Sequence, residues 1–502
     1  MAIVSAVLLV LAFPPIPLVF PAFIALAPLG VFVALRADGI ETGGAGASAR
    51  VTFWHGVIFY AVNVYWIATA LSLFTKLAFL GYAVTVVGMA AIGSLAGLAL
   101  YAMRRATRLP LALLLPLVWV SLEMLFNYLS DVAFPWFPLG LTVAHTPVLA
   151  QLADLSGVHG VSFWIAATNG LLADAWLLRT RRSPAAIRLA SAIVLGACVA
   201  TYGVWRMRST VIRPLAPIGV VQPDIPQEEK WQEENRGQIV GILSSLTRDL
   251  MRGSDPALIV WPEVALPGFI IEHPAWRDTL RALSDAPDTP IIFGVLDVEF
   301  FPGGAYAYYN AAMLADTAGR IDAQPAYRKG FLVPIVERVP FLDPAWFGDL
   351  KYFGGYGRGG PSLFRLAFGE VGVLICYESI FPQRSRSYRR SGAELILNIT
   401  NDAWFGQTFA PYQHEAHLAL RAIENRVGVV RAGNNGISEY IDPVGRRHGA
   451  TRLGERTQRT YNAGTTDVMT LFVRVGDWVG VLAVVTTLLV LAWDFGRRRR
   501  RR

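Results

Sequence analysis

The chain is short of charge and short of cysteine. Only 16% of its 502 residues are Asp, Glu, Lys or Arg, against about 25% in a typical soluble domain, so a wholly soluble protein fits poorly. Of the two cysteines, Cys198 lies in an apolar run and Cys376 in a more polar segment, which argues against a disulfide between them. Neither has the paired spacing of a zinc site, so Cys376 stands as a free thiol, structural or catalytic. Charge is scarcest inside the apolar runs, where Glu123 and Asp174 are the chief ionisable side chains. A transporter places charged or broken helices near the membrane midplane, and two isolated acids near helix ends make a weak case for one.

What is abundant is apolar surface. Hydrophobic residues make up 54% of the chain. They concentrate in 1–207 and again in 469–495, while 208–468 reads as an ordinary globular domain. With about 20 apolar residues needed per crossing, candidate spans lie at roughly 17–35, 51–72, 77–103, 109–128, 158–178, 186–207 and 470–493. A shorter run at 1–13 lacks the basic start and small-residue cleavage site of a signal peptide. It leads through Pro14-Pro15 into the next run and reads as a short first span, making about eight.

Basic residues mark the cytoplasmic loops of membrane proteins. With a cytoplasmic N-terminus, the inside loops hold Arg36 and Arg50, then Arg104, Arg105 and Arg108, then Arg179, Arg181 and Arg182, then the tail Arg497 to Arg502. The short outside loops hold only Lys76. The expected layout is a transmembrane bundle at 1–207, a globular domain at 211–468 on the outer, periplasm-like side, a returning helix at 469–496 and a cytoplasmic polyarginine tail at 497–502. The net charge of +8 comes largely from these arginines. They are not interleaved with aromatics on one face as nucleic-acid binding requires, and a tail beside a span meets anionic lipid instead. In loop 129–157, the segment Pro135-Trp136-Phe137-Pro138 suits either an interfacial anchor or the lining of a lipid entrance.

Within 211–468, strand-like runs at 216–222, 257–262, 290–297, 371–376, 394–400 and 428–433 alternate with helical stretches near 227–251, 274–285, 379–391 and 410–426. Such alternation predicts an α/β domain, with functional residues at strand ends. Leu258-Ile259-Val260-Trp261-Pro262-Glu263 ends an apolar strand at a proline, which cannot continue the ladder, and displays a carboxylate. Tyr327-Arg328-Lys329 delivers a lysine before the Leu332-Val333-Pro334 turn, and Val373-Leu374-Ile375-Cys376 delivers a thiol before Tyr377-Glu378-Ser379. Each alone also fits a bland role: a solvated acid, a surface charge, a small core residue. A thiol at a helix start or near a lysine is expected to have a lowered pKa.

Taken in order with these flanks, Glu263, Lys329 and Cys376 resemble the triad of the apolipoprotein N-acyltransferase family, the membrane-bound branch of the nitrilase (carbon–nitrogen hydrolase) superfamily. Gln222-Pro223-Asp224-Ile225-Pro226-Gln227 with Lys230-Trp231 is similar to the family's first-strand motif. Leu332-Val333-Pro334 with Glu337 and Val339-Pro340-Phe341 is similar to its lysine loop, and Asn398 to Phe405 and Asn434 to Ser438 to its later signatures. Ile335-Val336 and Gly330-Phe331 depart from the pattern.

The resemblance implies a polytopic α-helical membrane bundle plus an αββα sandwich inserted before the last span. It implies an acyl chain taken from a phospholipid onto Cys376 as a thioester and passed to the α-amino group of an S-diacylglyceryl-cysteine at a lipoprotein N-terminus. Glu263 is then the general base, Lys329 the oxyanion cation, Glu337 and Glu378 acids that hold Lys329, and Tyr377 and Trp231 pocket or gate residues. Trp404 and Asn434 fall in the later signatures. No cofactor, metal or nucleic acid is implied, and the expected state is a monomer in the inner membrane. An alternative is a membrane-tethered amidase using the same triad on small amides, for which about eight spans exceed a tether's need.

Three further patterns carry less. His414 and His417 have the i, i+3 spacing of a metal pair without an evident third ligand. Asn398-Ile399-Thr400 matches a glycosylation sequon on a strand expected to be buried. Gly354-Gly355 and Gly359-Gly360, with Phe353 and Tyr356, suit a mobile lid rather than a phosphate cradle.

Overall fold

A computed structural model describes residues 1–73, 75–285, 288–302, 306–334, 336–338, 340–341 and 361–500. The lid expected around Phe353 and Tyr356 lies outside the described residues, as do Ile335 and Val339. The chain divides into two compact units, Met1–Ser209 with Val475–Arg502, and Thr210–Arg474.

The first unit is helical: α1 (Ala2–Ala12), α2 (Ala27–Ala37), α3 (Gly44–Asn63), α4 (Trp66–Ser72), α5 (Ala78–Thr107), α6 (Leu111–Tyr128), α7 (Pro147–Ala150), α8 (Ala153–Leu177) and α9 (Arg182–Ser209), with a terminal helix at Trp478–Arg500. Among the described residues five helices are long and apolar enough to cross a membrane: Phe20–Ala37, Ala78–Thr107, Leu111–Tyr128, Arg182–Ser209 and Trp478–Arg500. A sixth results if α3 and α4, bent by 55° at their junction, form one broken span. Of the two remaining expected spans, α1 is only 11 residues long. The other, α8, carries buried polar side chains along its length, among them His159, Ser162, Asn169 and Asp174.

Those polar groups have structural employment. In hydrocarbon every backbone polar group needs an internal partner. Asp174 accepts the N–H groups of Leu111 and Ala112 at 3.0 Å each and so caps α6. Asn169 accepts from Leu26 N at 2.8 Å and Ala27 N at 3.1 Å, at the start of α2. Glu123 accepts from Leu139 N at 2.7 Å. The two acids noted in the sequence thus act as backbone caps. Close packing of α3 on α5 depends on small residues: a Cβ at Gly97 would meet Ser48 O at 2.3 Å, and one at Gly56 would meet Ala90 Cα at 2.9 Å. Trp136 is 1% exposed and Phe137 packs edge-on against Phe13 and Phe59, so this segment is buried inside its own unit rather than presented as an anchor.

The second unit holds two sheets. The first contains β1 (Arg213–Gln222), β2 (Leu258–Val260), β3 (Leu266–Phe269), β4 (Ile291–Phe300), β5 (Tyr306–Ala315) and β6 (Tyr327–Arg328). The second contains β7 (Leu363–Leu366), β8 (Gly369–Ile375), β9 (Leu395–Thr400), β10 (Gly428–Gly433), β11 (Glu439–Ile441) and β12 (Arg447–His448). A last strand, β13 (Thr457–Thr465), returns to pair antiparallel with β1. Strand order is β13-β1-β2-β4-β5-β6, with β3 on β4, and β12-β11-β10-β9-β8-β7. The pairs β1–β2, β2–β4, β8–β9 and β9–β10 are parallel.

Helices α10 (Gln227–Lys230), α11 (Arg236–Gly253), α12 (Pro274–Asp285), α13 (Pro382–Arg390) and α14 (Ala410–Asn425) complete the unit. Leu243 and Leu250 of α11 and Leu280 of α12 bury against Ile259, Phe293 and Val295 of the first sheet; full burial of such a side chain is worth roughly 1.5–3 kcal/mol. On the other side α13 packs on β8 and α14 on β10, while β1 and β13 pack against β10. The layers therefore run helix, sheet, sheet, helix. This αββα sandwich arises because each parallel strand is apolar on both faces and needs cover on both.

Candidate active site

Each residue of the expected triad sits just beyond the end of a strand. Glu263 follows β2, Lys329 directly follows β6, and Cys376 directly follows β8. The fold brings all three together, buried: Glu263 is 5% exposed, Lys329 1% and Cys376 7%.

Lys329 is the hub. Its ammonium donates to Glu337 Oε1 at 2.8 Å and to Glu263 Oε1 at 3.2 Å. The Asn310 side chain donates to Glu263 Oε1 at 2.7 Å and to Glu337 Oε1 at 3.4 Å, so it bridges the same two carboxylates. The second Glu263 oxygen accepts from Asn401 N at 2.9 Å. Glu337 is held by its own loop, accepting from Val333 N at 2.8 Å. Burial alone would strip Lys329 of its proton, but the Glu337 and Glu263 carboxylates outweigh it and raise its pKa above the usual lysine range. Lys329 is thus a permanent cation.

Glu378 does a different job. It accepts Gly330 N at 2.8 Å, Phe331 N at 3.2 Å, the Tyr327 hydroxyl at 2.7 Å and Ile375 N at 2.9 Å, and pairs with Arg384 at 3.6 Å. It fixes the backbone after Lys329 and the backbone before Cys376, reaching Lys329 only through the chain. At Gly330 a Cβ would stand 2.0 Å from Arg384 Nη2, so a larger residue there would displace the end of the Arg384 side chain. The ring that follows, Phe331, stacks on Phe381 at 4.3 Å, and Phe381 meets Tyr377 edge-on at 5.2 Å. The Gly330-Phe331 departure thus leaves room for the Arg384 guanidinium and supplies an aromatic contact.

Two backbone positions are strained. Cys376 has φ 50 and Val264, immediately after Glu263, has φ 42; neither is a residue that adopts the left-handed region readily, and Val least of all. Strain of this kind persists only where the surroundings enforce it. Around Cys376 the enforcement comes from His414, whose Nε2 lies 3.1 Å from the Cys376 carbonyl and 2.9 Å from Ser379 Oγ. Its Nδ1 lies 3.1 Å from Asp402. Arg431 donates to Asp402 at 2.6 Å and to Asn398 at 2.8 Å, and Asn398 donates to Leu374 O at 3.1 Å. Asp402, though buried, is held down to about 2, with Arg431 and His414 overcoming the burial penalty. The sequon asparagine and the first histidine of the apparent metal pair are both parts of this brace.

The thiol departs from expectation. Burial, then the Glu263 charge, push the Cys376 pKa well above the ordinary thiol range, and Lys329 offsets them only in part. The segment Cys376–Ile380 is a five-residue 3-10 turn, too short for a helix end to lower it. That favours a neutral thiol at rest.

Of the other expected residues, Tyr377 is buried in the aromatic group, Trp404 is half-buried and Trp231 is 46% exposed. Asn434 is a brace: it donates to Ile225 O at 2.7 Å and to Asn401 Oδ1 at 2.9 Å, and accepts from Ile225 N at 3.1 Å. Sequence reasoning missed Asn310, and it placed Asn401 inside a signature without giving it a role. An asparagine in the apolar half of β5 and one at the end of β9 were the available signals. It also missed Gly294 of β4, where a Cβ would strike the Glu263 turn at 2.4 Å from Val264 N.

A buried cysteine beside a lysine held between two glutamates, at strand ends of an αββα sandwich, defines a nitrilase-like unit. The carbon–nitrogen hydrolase family model matches residues 218–462. Residues 5–171 match the model described as the apolipoprotein N-acyltransferase N-terminal domain. An apolipoprotein N-acyltransferase of Geobacter metallireducens is 32% identical over 99% of this chain and 95% of its own. One from Chlorobaculum tepidum is 29% identical over 97% and 96%, and one from Allorhizobium ampelinum 32% identical over 90% and 87%. The chain belongs to the apolipoprotein N-acyltransferase family.

Proposed function

We propose that the chain transfers an acyl group from a membrane phospholipid to the N-terminal S-diacylglyceryl-cysteine of a lipoprotein, in two steps through Cys376. In the first, Glu263 takes the Cys376 proton as Sγ attacks the ester carbonyl. Lys329 faces the oxyanion that develops only at the transition state, a donor worth roughly 3–4 kcal/mol in other enzymes. The tetrahedral adduct collapses, the glycerol oxygen leaves with the Glu263 proton as lyso-phospholipid, and a thioester remains. In the second step the α-amino nitrogen attacks the thioester carbonyl and Glu263 accepts its proton. The Cys376 thiolate leaves, regains that proton and frees the amide product. An α-amine with a pKa near 8 is partly neutral at neutral pH and so nucleophilic.

The observation that carries the reading is the Lys329 ammonium fixed between Glu263 and Glu337 beside a neutral, strained Cys376. A thiol in that state needs the adjacent carboxylate as base. Holding the enzyme in the membrane spares its lipid substrates the cost of extraction, about 0.8 kcal/mol for each CH₂ exposed to water. The arginine distribution supports an inner-membrane enzyme with both termini cytoplasmic and the catalytic unit periplasmic.

The test is lyso-phospholipid release from vesicles by wild type, Glu263→Gln and Lys329→Met. Stoichiometric release by wild type and loss in both variants is expected. Release that survives both substitutions removes the assigned roles, and hydrolysis of small amides without lyso-phospholipid favours the amidase instead.

A further inference from the structure

Lys230, the last residue of α10, is 2% exposed. Its ammonium donates one hydrogen bond, to the backbone carbonyl of Glu263 at 3.0 Å. Among the described residues its ammonium makes no ion pair and no second hydrogen bond. A buried ammonium not paired directly with a carboxylate is costly, and Lys329 shows the contrast, bracketed by two carboxylates. Burial pulls the Lys230 pKa down to about 8, with the Glu263 and Cys376 charges partly restoring it.

The carbonyl it grips opens the strained turn. Val264 follows it at φ 42, and the same turn is tied to β4 through Gly294 N to Pro262 O at 3.2 Å. From the first residue of α10, Gln227 accepts Asn401 Nδ2 at 2.8 Å, and Asn401 N holds Glu263 Oε2. One short helix therefore secures Glu263 at its main chain directly and at its carboxylate through Asn401.

We propose that Lys230 is a positioning residue for acyl transfer: it fastens the Glu263 carbonyl, keeps the strained turn closed with the base beside Cys376, and balances the charge of the thiolate as it forms. The proposal rests on Glu263 acting as base. When the Cys376 proton moves to Glu263, the negative charges are the thiolate and Glu337 and the positive ones are Lys329 and Lys230. The transfer only moves one negative charge from the Glu263 carboxylate to Cys376 Sγ, so with Lys230 neutral or absent the buried site carries one uncompensated negative charge throughout, and the thiolate forms without a cation from the Glu263 side to offset it. The titratable groups acting on Lys230 are Glu263, from the turn after β2, and Cys376, from the end of β8.

The experiment follows first-turnover acylation of full-length protein in phospholipid nanodiscs from neutral to alkaline pH. It compares wild type, Lys230→Met and Lys230→Gln, with thermal unfolding of each. Wild-type acylation is expected to fall as pH rises through about 8. Lys230→Met is expected to acylate about 10- to 100-fold more slowly, with KM changed less than about threefold and no alkaline limb. Lys230→Gln keeps an N–H donor without the charge, so it recovers part of the rate and also lacks the limb. Wild-type rates in Lys230→Met, or losses in both variants that match lost folded protein alone, overturn the proposal. A wild type that never forms an acyl-enzyme overturns the underlying reading, and the proposal with it.

Discussion

Gly294→Ala is the sharpest probe of how closely the proposed base, Glu263, must be placed. The new methyl group would stand 2.4 Å from Val264 N, 2.5 Å from Pro262 O and 2.7 Å from Glu263 Cα, where ordinary contacts begin near 3.4 Å. All three atoms are backbone, so no rotamer relieves the overlap, and the Glu263 turn has to withdraw by about 1 Å. Overpacking of this size costs roughly 1–3 kcal/mol of stability. A 1 Å displacement of a catalytic group costs on the order of 100-fold in rate. The assay is first-turnover lyso-phospholipid release alongside thermal unfolding in detergent. Gly241→Ala serves as the control: it lies on the exposed side of α11 with nothing within 4 Å of its Cβ, and should gain up to about 1 kcal/mol at unchanged activity. If Gly294→Ala folds and acylates at the wild-type rate, the position of Glu263 does not control the chemistry and the reasoning fails.

Other outcomes follow from the same geometry. Lys329→Met leaves the Glu263 and Glu337 carboxylates facing each other. It should lower acylation by about 10²- to 10³-fold and stability by roughly 3–5 kcal/mol at neutral pH. In acid the stability loss shrinks as one carboxylate protonates, which denaturation at several pH values measures. Asp402 has a folded pKa depressed to about 2. Its contribution, about 2 kcal/mol, is therefore present above the unfolded value near 3.9 and is lost as pH falls through about 2. The stability gap between wild type and Asp402→Asn should narrow across that acid range. His414→Ala frees the Cys376 carbonyl from its brace, and should slow both acylation and alkylation of Cys376 by about 10-fold; an unchanged alkylation rate contradicts the bracing role.

The three side chains proposed as the triad stood out in the sequence because they sit where strands stop. Proline at 262 ends one strand, and the apolar run before Cys376 ends another, so order and flanks sufficed to pair distant segments. Strands β5 and β13 escaped notice for opposite reasons. Tyr306–Ala315 has no clean alternation, and Thr457–Thr465 is largely polar because it lies at the rim of its sheet. The direction of the Cys376 pKa was misread, since a sequence shows neighbouring residue types but not how deeply they are buried. Lys230 was visible only as a motif letter; that its partner is a backbone carbonyl 33 residues away is a property of the fold. Glu123 and Asp174 looked like isolated intramembrane acids for the same reason, their partners being N–H groups that every residue carries.

The central claim is that an acyl group passes through Cys376. Intact-mass spectrometry of the full-length protein and of Cys376→Ala, each given phospholipid and then a diacylglyceryl-cysteine peptide, tests it most directly. Wild type alone should gain one acyl mass with release of lyso-phospholipid, then lose that mass as the peptide gains an amide-linked chain. If wild type stays unacylated while the peptide is acylated, or if Cys376→Ala transfers equally well, the thioester route is contradicted.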